Sequence, residues 1–396
     1  MKPAVSGRLK KWGLVVLAAA LGFQIHAWGI HRPERLMALY AKYIEGQPNL
    51  AKRPKSLDGI HPGVKVTDFH HLNTLGGPED VARRRQMVTD YVWRGFGLPF
   101  GVRPDKVEHA VAFPPLMGIS NLASVDRLTI EMPYGIKSVA FVLHPDKARS
   151  CLMIYQEGHL HSFLERRGYL EKVVAGGCTA LALSLPLTGG INNQPTIDHP
   201  RFGVLNLLNV DALELLHTRT FSAMGFYLTP VIVGLNHLLA EHSFDRVGMT
   251  GFSGGGWVTV MAAALDQRIQ RSYPVAGTAT IPVFAAEPGW GDWVQRDGRL
   301  YDIVTYTELY VLGTVQPARR QLQVFNLRDE CCFRGRNAEA YAPAVADKAQ
   351  ALGGSFAAII RDDGEVHDFT EGAQAGVLAD FFGSAVAGTN PSPDYR

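Results

Sequence analysis

Beyond residue 120 the sequence settles into short apolar runs separated by stretches with helical periodicity, and no other feature constrains the fold as strongly. A strand that is apolar on both sides cannot leave one face in water, so both faces of its sheet must be covered, and helices placed between successive runs supply that cover. The runs at 151–155, 179–185, 246–250, 272–276, 323–327 and 355–361 read as buried strands. Those at 125–132 and 137–144 read as an opening hairpin turned by Pro133, Tyr134 and Gly135. Helical periodicity covers 162–175, 212–242, 256–265, 338–352 and 370–382. The expected architecture is α/β, a mostly parallel sheet with helices on both faces.

Two stretches, 187–211 and 278–319, are too long for ordinary connections between strand and helix. They are assigned to cap insertions, a lid over the site. Residues 28–120 are mixed and interrupted by proline, with helical periodicity at 33–44 and 79–93 and no catalytic pattern. They read as an N-terminal accessory segment packed on a main domain at 121–386, which is followed by a C-terminal tail, 387–396. His70 and His71 have no third ligand at metal-binding spacing and read as surface residues.

At the N-terminus Lys2, Arg8, Lys10 and Lys11 precede an uncharged stretch, 12–27, whose apolar centre is 13–23. This pattern is that of a signal peptide over 1–27, with Ile25 and Ala27 at the cleavage positions, or of an uncleaved N-terminal anchor. As an anchor the run is short against the roughly 20 residues a span needs. Export is expected, to a periplasmic, extracellular or membrane-anchored location, with membrane association only through this segment.

The 39 basic and 37 acidic residues nearly cancel, leaving a formal charge of +2. No dense basic block follows the N-terminus, so nucleic acid is not an expected partner. The oligomeric state is not legible. Cys151, Cys178, Cys331 and Cys332 allow three pairings in an oxidising compartment. Cys151 and Cys178 open apolar runs, where buried free thiols are common. The adjacent Cys331 and Cys332 read more readily as two separate thiols than as a strained ring. The pairings stay open. No paired Cys-x-x-Cys units and no nearby histidine couple point to zinc, and no metal or other cofactor is expected.

The strongest local signal is Gly251-Phe252-Ser253-Gly254-Gly255, set between the run ending at Thr250 and a helical segment holding Val258, Val260 and Met261. A nucleophile on a sharp turn between strand and helix needs small neighbours, because its backbone is strained and the chain packs closely around it. The helix that follows aims backbone N–H groups and the positive end of its dipole at any oxyanion formed there. Strand, turn and helix together resemble the nucleophile elbow of the α/β-hydrolase superfamily, and the resemblance covers about 125–382.

That resemblance implies the α/β-hydrolase fold, a chain order of nucleophile, acid and base, and an oxyanion hole shared by two loops. Of 14 histidines, 13 lie at or before His242, which leaves His367 as the base. Asp329, on the loop after the strand at 323–327, matches the acid position. A glycine commonly stands three residues before that acid, and here the residue is Asn326, so Glu330 remains the alternative acid and Asp302 a more distant one. The backbone N–H of Gly254 is the first oxyanion donor. The second is expected from Gln156-Glu157-Gly158-His159, at His159, whose imidazole, like that of His161, either lines the pocket or is solvated.

The expected activity is that of a carboxylic-ester hydrolase working through an acyl-enzyme on a small-molecule ester, with Ser253, Asp329 and His367 as its triad. A serine peptidase or amidase on the same scaffold is the alternative reading, and an inactive binding protein a further one. Trp257, Phe221, Met224, Phe226, Tyr227, Trp290 and Trp293 suggest apolar walls, although aromatic residues on a helix are more often core.

Overall fold

A computed structural model describes residues 59–383 apart from 160, 195, 288–290 and 317. The chain divides into two compact units, Met1–Ser56 and Leu57–Arg396, and the described residues belong to the second. The N-terminal signal or anchor, the helix expected at 33–44, Trp290 and the tail at 387–396 lie outside the described residues. No helix among the described residues is long and apolar enough to cross a membrane.

Nine strands form the main sheet: β1 (Lys106–Glu108), β2 (Leu122–Glu131), β3 (Lys137–Pro145), β4 (Cys151–Gln156), β5 (Thr179–Leu183), β8 (Arg246–Phe252), β9 (Arg271–Val275), β10 (Arg320–Asn326) and β11 (Ser355–Arg361). Two further strands, β6 (Thr196–His199) and β7 (Gly203–Asn206), pair separately. The order across the sheet is β1-β2-β3-β5-β4-β8-β9-β10-β11. The pairs among the first three strands, and β3 with β5, run antiparallel, whereas β5, β4, β8, β9, β10 and β11 are mutually parallel. This is the mostly parallel sheet that the apolar runs require. The strand order reverses between β4 and β8, and open α/β sheets bind ligands outside the carboxyl ends at such a point.

The helix Gly254–Leu265 shows why an apolar run can be a helix. Every residue in it is buried, including Trp257, because it is enclosed by the sheet and other helices and has no water-facing side. Tyr306–Leu312 packs against it and is likewise buried throughout.

Several expectations need correction. The stretch 212–242 is not one helix. A 3-10 turn at Val210–Leu216 is separated from the helix Gly225–Glu241 by a loop in which Thr218 exchanges backbone and side-chain hydrogen bonds with Phe221. The local turn competes with helix there. Within 278–319, Tyr306–Leu312 is core rather than part of a cap. The accessory segment is also less separate than its composition suggests. β1 joins the main sheet beside β2, and Arg85 of the helix Pro78–Trp93 donates to the carbonyls of Ala264 and Leu312.

All four cysteines are in disulfides. Cys151–Cys178 joins the starts of the adjacent strands β4 and β5, with a Cα separation of 4.9 Å. Cys331 and Cys332 are bonded to each other. The sequence left these pairings open and favoured separate thiols over a Cys331–Cys332 ring, because spacing carries no information on which loops meet.

Candidate active site

Ser253 stands between β8 and the buried helix with φ 53° and ψ −123°, a left-handed conformation that a residue with a Cβ adopts only when its surroundings force it. The glycines explain how. A Cβ on Gly251 would run into the carbonyl of Gly255, and one on Gly255 into the carbonyl of Gln156. On Gly277 it would strike the Ser253 carbonyl, and on Gly158 it would lie 2.8 Å from the Ser253 Cβ. The turn is fixed by close backbone approach on all sides, and by hydrogen bonds from Ser253 N to Val275 O (2.9 Å) and from Gly256 N to Ser253 O (2.8 Å).

Asp329 lies on the loop after β10 and is buried. One carboxylate oxygen accepts the backbone N–H groups of Cys331 (2.9 Å) and Cys332 (3.0 Å), and the other is 2.6 Å from His367 Nδ1. Two backbone donors and the imidazole thus surround the carboxylate at hydrogen-bonding distance. His367 follows β11, and its ring packs on Phe252 at a centroid distance of 4.7 Å, beside the Ser253 turn. Asn326 Nδ2 donates to the carbonyl of Asp368 (2.8 Å), and Glu330 N to that of Glu365 (2.9 Å), so the acid and base loops are tied together. Asn326 thus has its own task where a glycine was looked for. Glu330 is exposed, as is Asp302, and the carboxylate at His367 Nδ1 is that of Asp329. Arg328 pairs with Asp362 and Glu365, and Arg334 with Glu287, which leaves Asp329 to the histidine.

The turn after β4 lies against the Ser253 turn. Glu157 is buried and accepts from Gly158 N (2.8 Å) and Tyr155 Oη (2.8 Å), and Arg166 Nε lies 3.6 Å away. Burial pushes its carboxyl pKa up, against the pull of these donors. His159 packs on Gly254, where an added Cβ would overlap its ring. Its Nε2 is 2.7 Å from Asp292 Oδ2. Burial works against a charge on His159, yet the hydrogen bond and charge of Asp292 outweigh it and hold the imidazole above its ordinary pKa. Asp292 meanwhile caps the short helix Trp293–Arg296 in a capping box with Gln295. Sequence reasoning missed Asp292. The Asp-x-x-Gln pattern marks a helix start but says nothing of a histidine 133 positions away.

A cavity of about 750 Å³ opens over this end of the sheet and is bordered by Ser253, His367, His159 and the Cys331–Cys332 disulfide. It is also lined by Asn193, Asn209 and Asp211 of the first insertion, by Glu214 just after it, and by Trp293 and Arg296 of the second. His161 also lines it. Among the aromatic residues singled out in the sequence, Trp293 borders this cavity, whereas Trp257, Met224 and Tyr227 are core. Phe221 and Phe226 line a separate apolar cavity of about 250 Å³ with Trp93 and Met132.

Neither a protein-family model nor a curated protein matches this chain. Solved structures do. An acetyl xylan esterase from Paenibacillus sp. R4 superposes with a TM-score of 0.51 at 16% identity, over 80% of this chain and 98% of that one. Acetyl xylan esterase 1 from Thermoanaerobacterium sp. JW/SL YS485 gives 0.51 at 16% identity, over 79% and 96%. A methylesterase gives 0.57 at 18% identity, over 84% and 69%. At these identities the likeness shows a shared fold.

Proposed function

We propose that this chain, which has the α/β-hydrolase fold, is a serine hydrolase that cleaves carboxylic esters through an acyl-enzyme. The observation that carries the reading is the Asp329–His367 pair at 2.6 Å, whose histidine borders one cavity with a serine on a strained turn. Ser253 Oγ attacks the acyl carbonyl and His367 takes its proton. Asp329 holds the ring with Nδ1 protonated, so that Nε2 is the free base, and it stabilises the imidazolium. The backbone N–H groups of Gly254 and His159 receive the oxyanion. The alcohol leaves with the proton from His367, and water, deprotonated by the same ring, releases the acid.

Two of the similar folds are named acetyl xylan esterases and one a methylesterase, which favours ester over amide. The polar lining, with Asn193, Asn209, Asp211 and Glu214, suits an ester whose alcohol part carries hydroxyl groups. Export, through the signal or anchor at 1–27, remains part of the proposal. Two disulfides favour an oxidising compartment.

The test is turnover of short acyl esters of sugars and of nitrophenol, set against peptide anilides. Ester cleavage that outpaces anilide cleavage supports the reading. Faster anilide cleavage makes the chain an amidase, and no turnover of either removes the proposal.

A further inference from the structure

The Cys331–Cys332 disulfide is built into the catalytic wall. Its two backbone N–H groups hold Asp329, and Cys332 Sγ lies 3.9 Å from both ring nitrogens of His367. One carboxylate oxygen, one imidazole nitrogen and the two sulfurs all lie within 4.8 Å of one another. As a disulfide the two sulfurs are poor ligands. As thiolates they would complete a set of two sulfurs, one nitrogen and one oxygen, the donor chemistry of a thiophilic divalent cation.

We infer that reduction of Cys331–Cys332 turns the acid and base of the active site into a binding site for a thiophilic divalent cation of the zinc class. A dithiol reductant gives two electrons and two protons, becomes a disulfide itself, and leaves two thiols on the loop. Cys331 is exposed to the cavity, so the reductant can reach it. The cation then displaces the two thiol protons to solvent and is held by two thiolates, the Asp329 carboxylate and His367. Metal–donor distances near 2.0–2.3 Å imply donor–donor edges of about 3.3–3.8 Å, so the longest edges, up to 4.8 Å, need to close by roughly 1 Å, while the 2.6 Å Asp329–His367 edge and the bonded sulfurs need to part. Opening the ring frees each sulfur to make that movement.

The cation would sit where the proton between Asp329 and His367 now lies. Bound at Nδ1, it leaves the imidazole proton on Nε2, which can no longer accept from Ser253. The site therefore exchanges hydrolysis for metal binding. The effect on turnover rests on the reading of His367 as base. The binding does not.

Full-length protein is reduced with a water-soluble phosphine, which ends as phosphine oxide, and titrated with Cd²⁺ and Zn²⁺. Reduced wild type should show a Cd²⁺–thiolate charge-transfer band saturating at one equivalent, and bind Zn²⁺ at least about a hundredfold tighter than the oxidised protein. Cys331→Ser/Cys332→Ser should lose the band, although Cys151 and Cys178 remain. His367→Ala keeps both thiols and should weaken Zn²⁺ binding by at least about tenfold. Zn²⁺ should stop ester turnover by the reduced protein and spare the oxidised form. If the chain turns over no ester, the band and its loss in the double variant still decide the metal site. A band that survives in the double variant, or Zn²⁺ affinity indifferent to His367→Ala, overturns the inference while leaving the hydrolase reading intact.

Discussion

Two histidine–aspartate pairs flank Ser253. Asp329–His367 closes at 2.6 Å and Asp292–His159 at 2.7 Å, so distance does not separate them. Their surroundings do. Asp329 is ringed by the N–H groups of the Cys331–Cys332 loop, and its histidine packs on Phe252 beside the nucleophile turn. Asp292 instead caps a cap-region helix, and its histidine packs on Gly254, where the oxyanion donor is proposed. In the proposed mechanism the same pair chemistry serves proton transfer on one side and the shape and charge of the oxyanion side on the other.

The sharpest way to break this distinction is to delete each ring in turn. His367→Ala should cost on the order of a millionfold in kcat for ester substrates, since members of a triad fail together. His159→Ala keeps its backbone N–H and should cost about a hundredfold or less. Equal collapse in both would mean that the pairs are not functionally distinct.

The acid side gives the next largest effect. Asp329→Asn should lower kcat by about ten thousandfold at neutral pH, because an amide neither fixes the tautomer nor stabilises imidazolium. Glu330→Gln should change little, and inactivity there with an active Asp329→Asn would reassign the acid.

On the oxyanion side, Gly158→Ala puts a methyl 2.8 Å from the Ser253 Cβ and displaces the turn. A shift of that kind should cost about a hundredfold in kcat/KM with the fold retained by circular dichroism. Wild-type kcat/KM in this variant would show that the approach of the two turns is not needed.

The smallest expected effect concerns stability. The folded-state pKa of His159 is raised, so its pairing with Asp292 stabilises fully below the unfolded value near 6.5 and is lost as pH rises through the folded pKa. Asp292→Asn keeps a good helix cap and removes the charge. It should lower stability by about 1–2 kcal/mol in mild acid and by less at higher pH, read as a Tm difference that narrows with pH. A difference that widens with pH contradicts the assignment.

The asymmetry between the pairs also decides what was legible beforehand. The Ser253 turn is a local object, because the strand, the glycines and the buried helix are contiguous in the chain, and each meets a steric demand set by its neighbours. His367 and Asp329 came from the chain order that the resemblance implies, and the structure brings them together because loops after parallel strands converge at one end of the sheet. Nothing comparable pointed to Asp292, whose role depends on how an insertion folds back over the sheet. The β6–β7 hairpin and the break at residues 217–224 were missed for a related reason, as short polar segments draw their order from tertiary contacts and carry little periodicity. The disulfides were illegible because pairing is a property of folded distance.

The central claim is that Ser253 is the nucleophile, and fluorophosphonate labelling followed by peptide mapping tests it most directly. One adduct on Ser253, absent from Ser253→Ala and from His367→Ala, is the predicted result. An adduct on another residue, or labelling retained in Ser253→Ala, would contradict it.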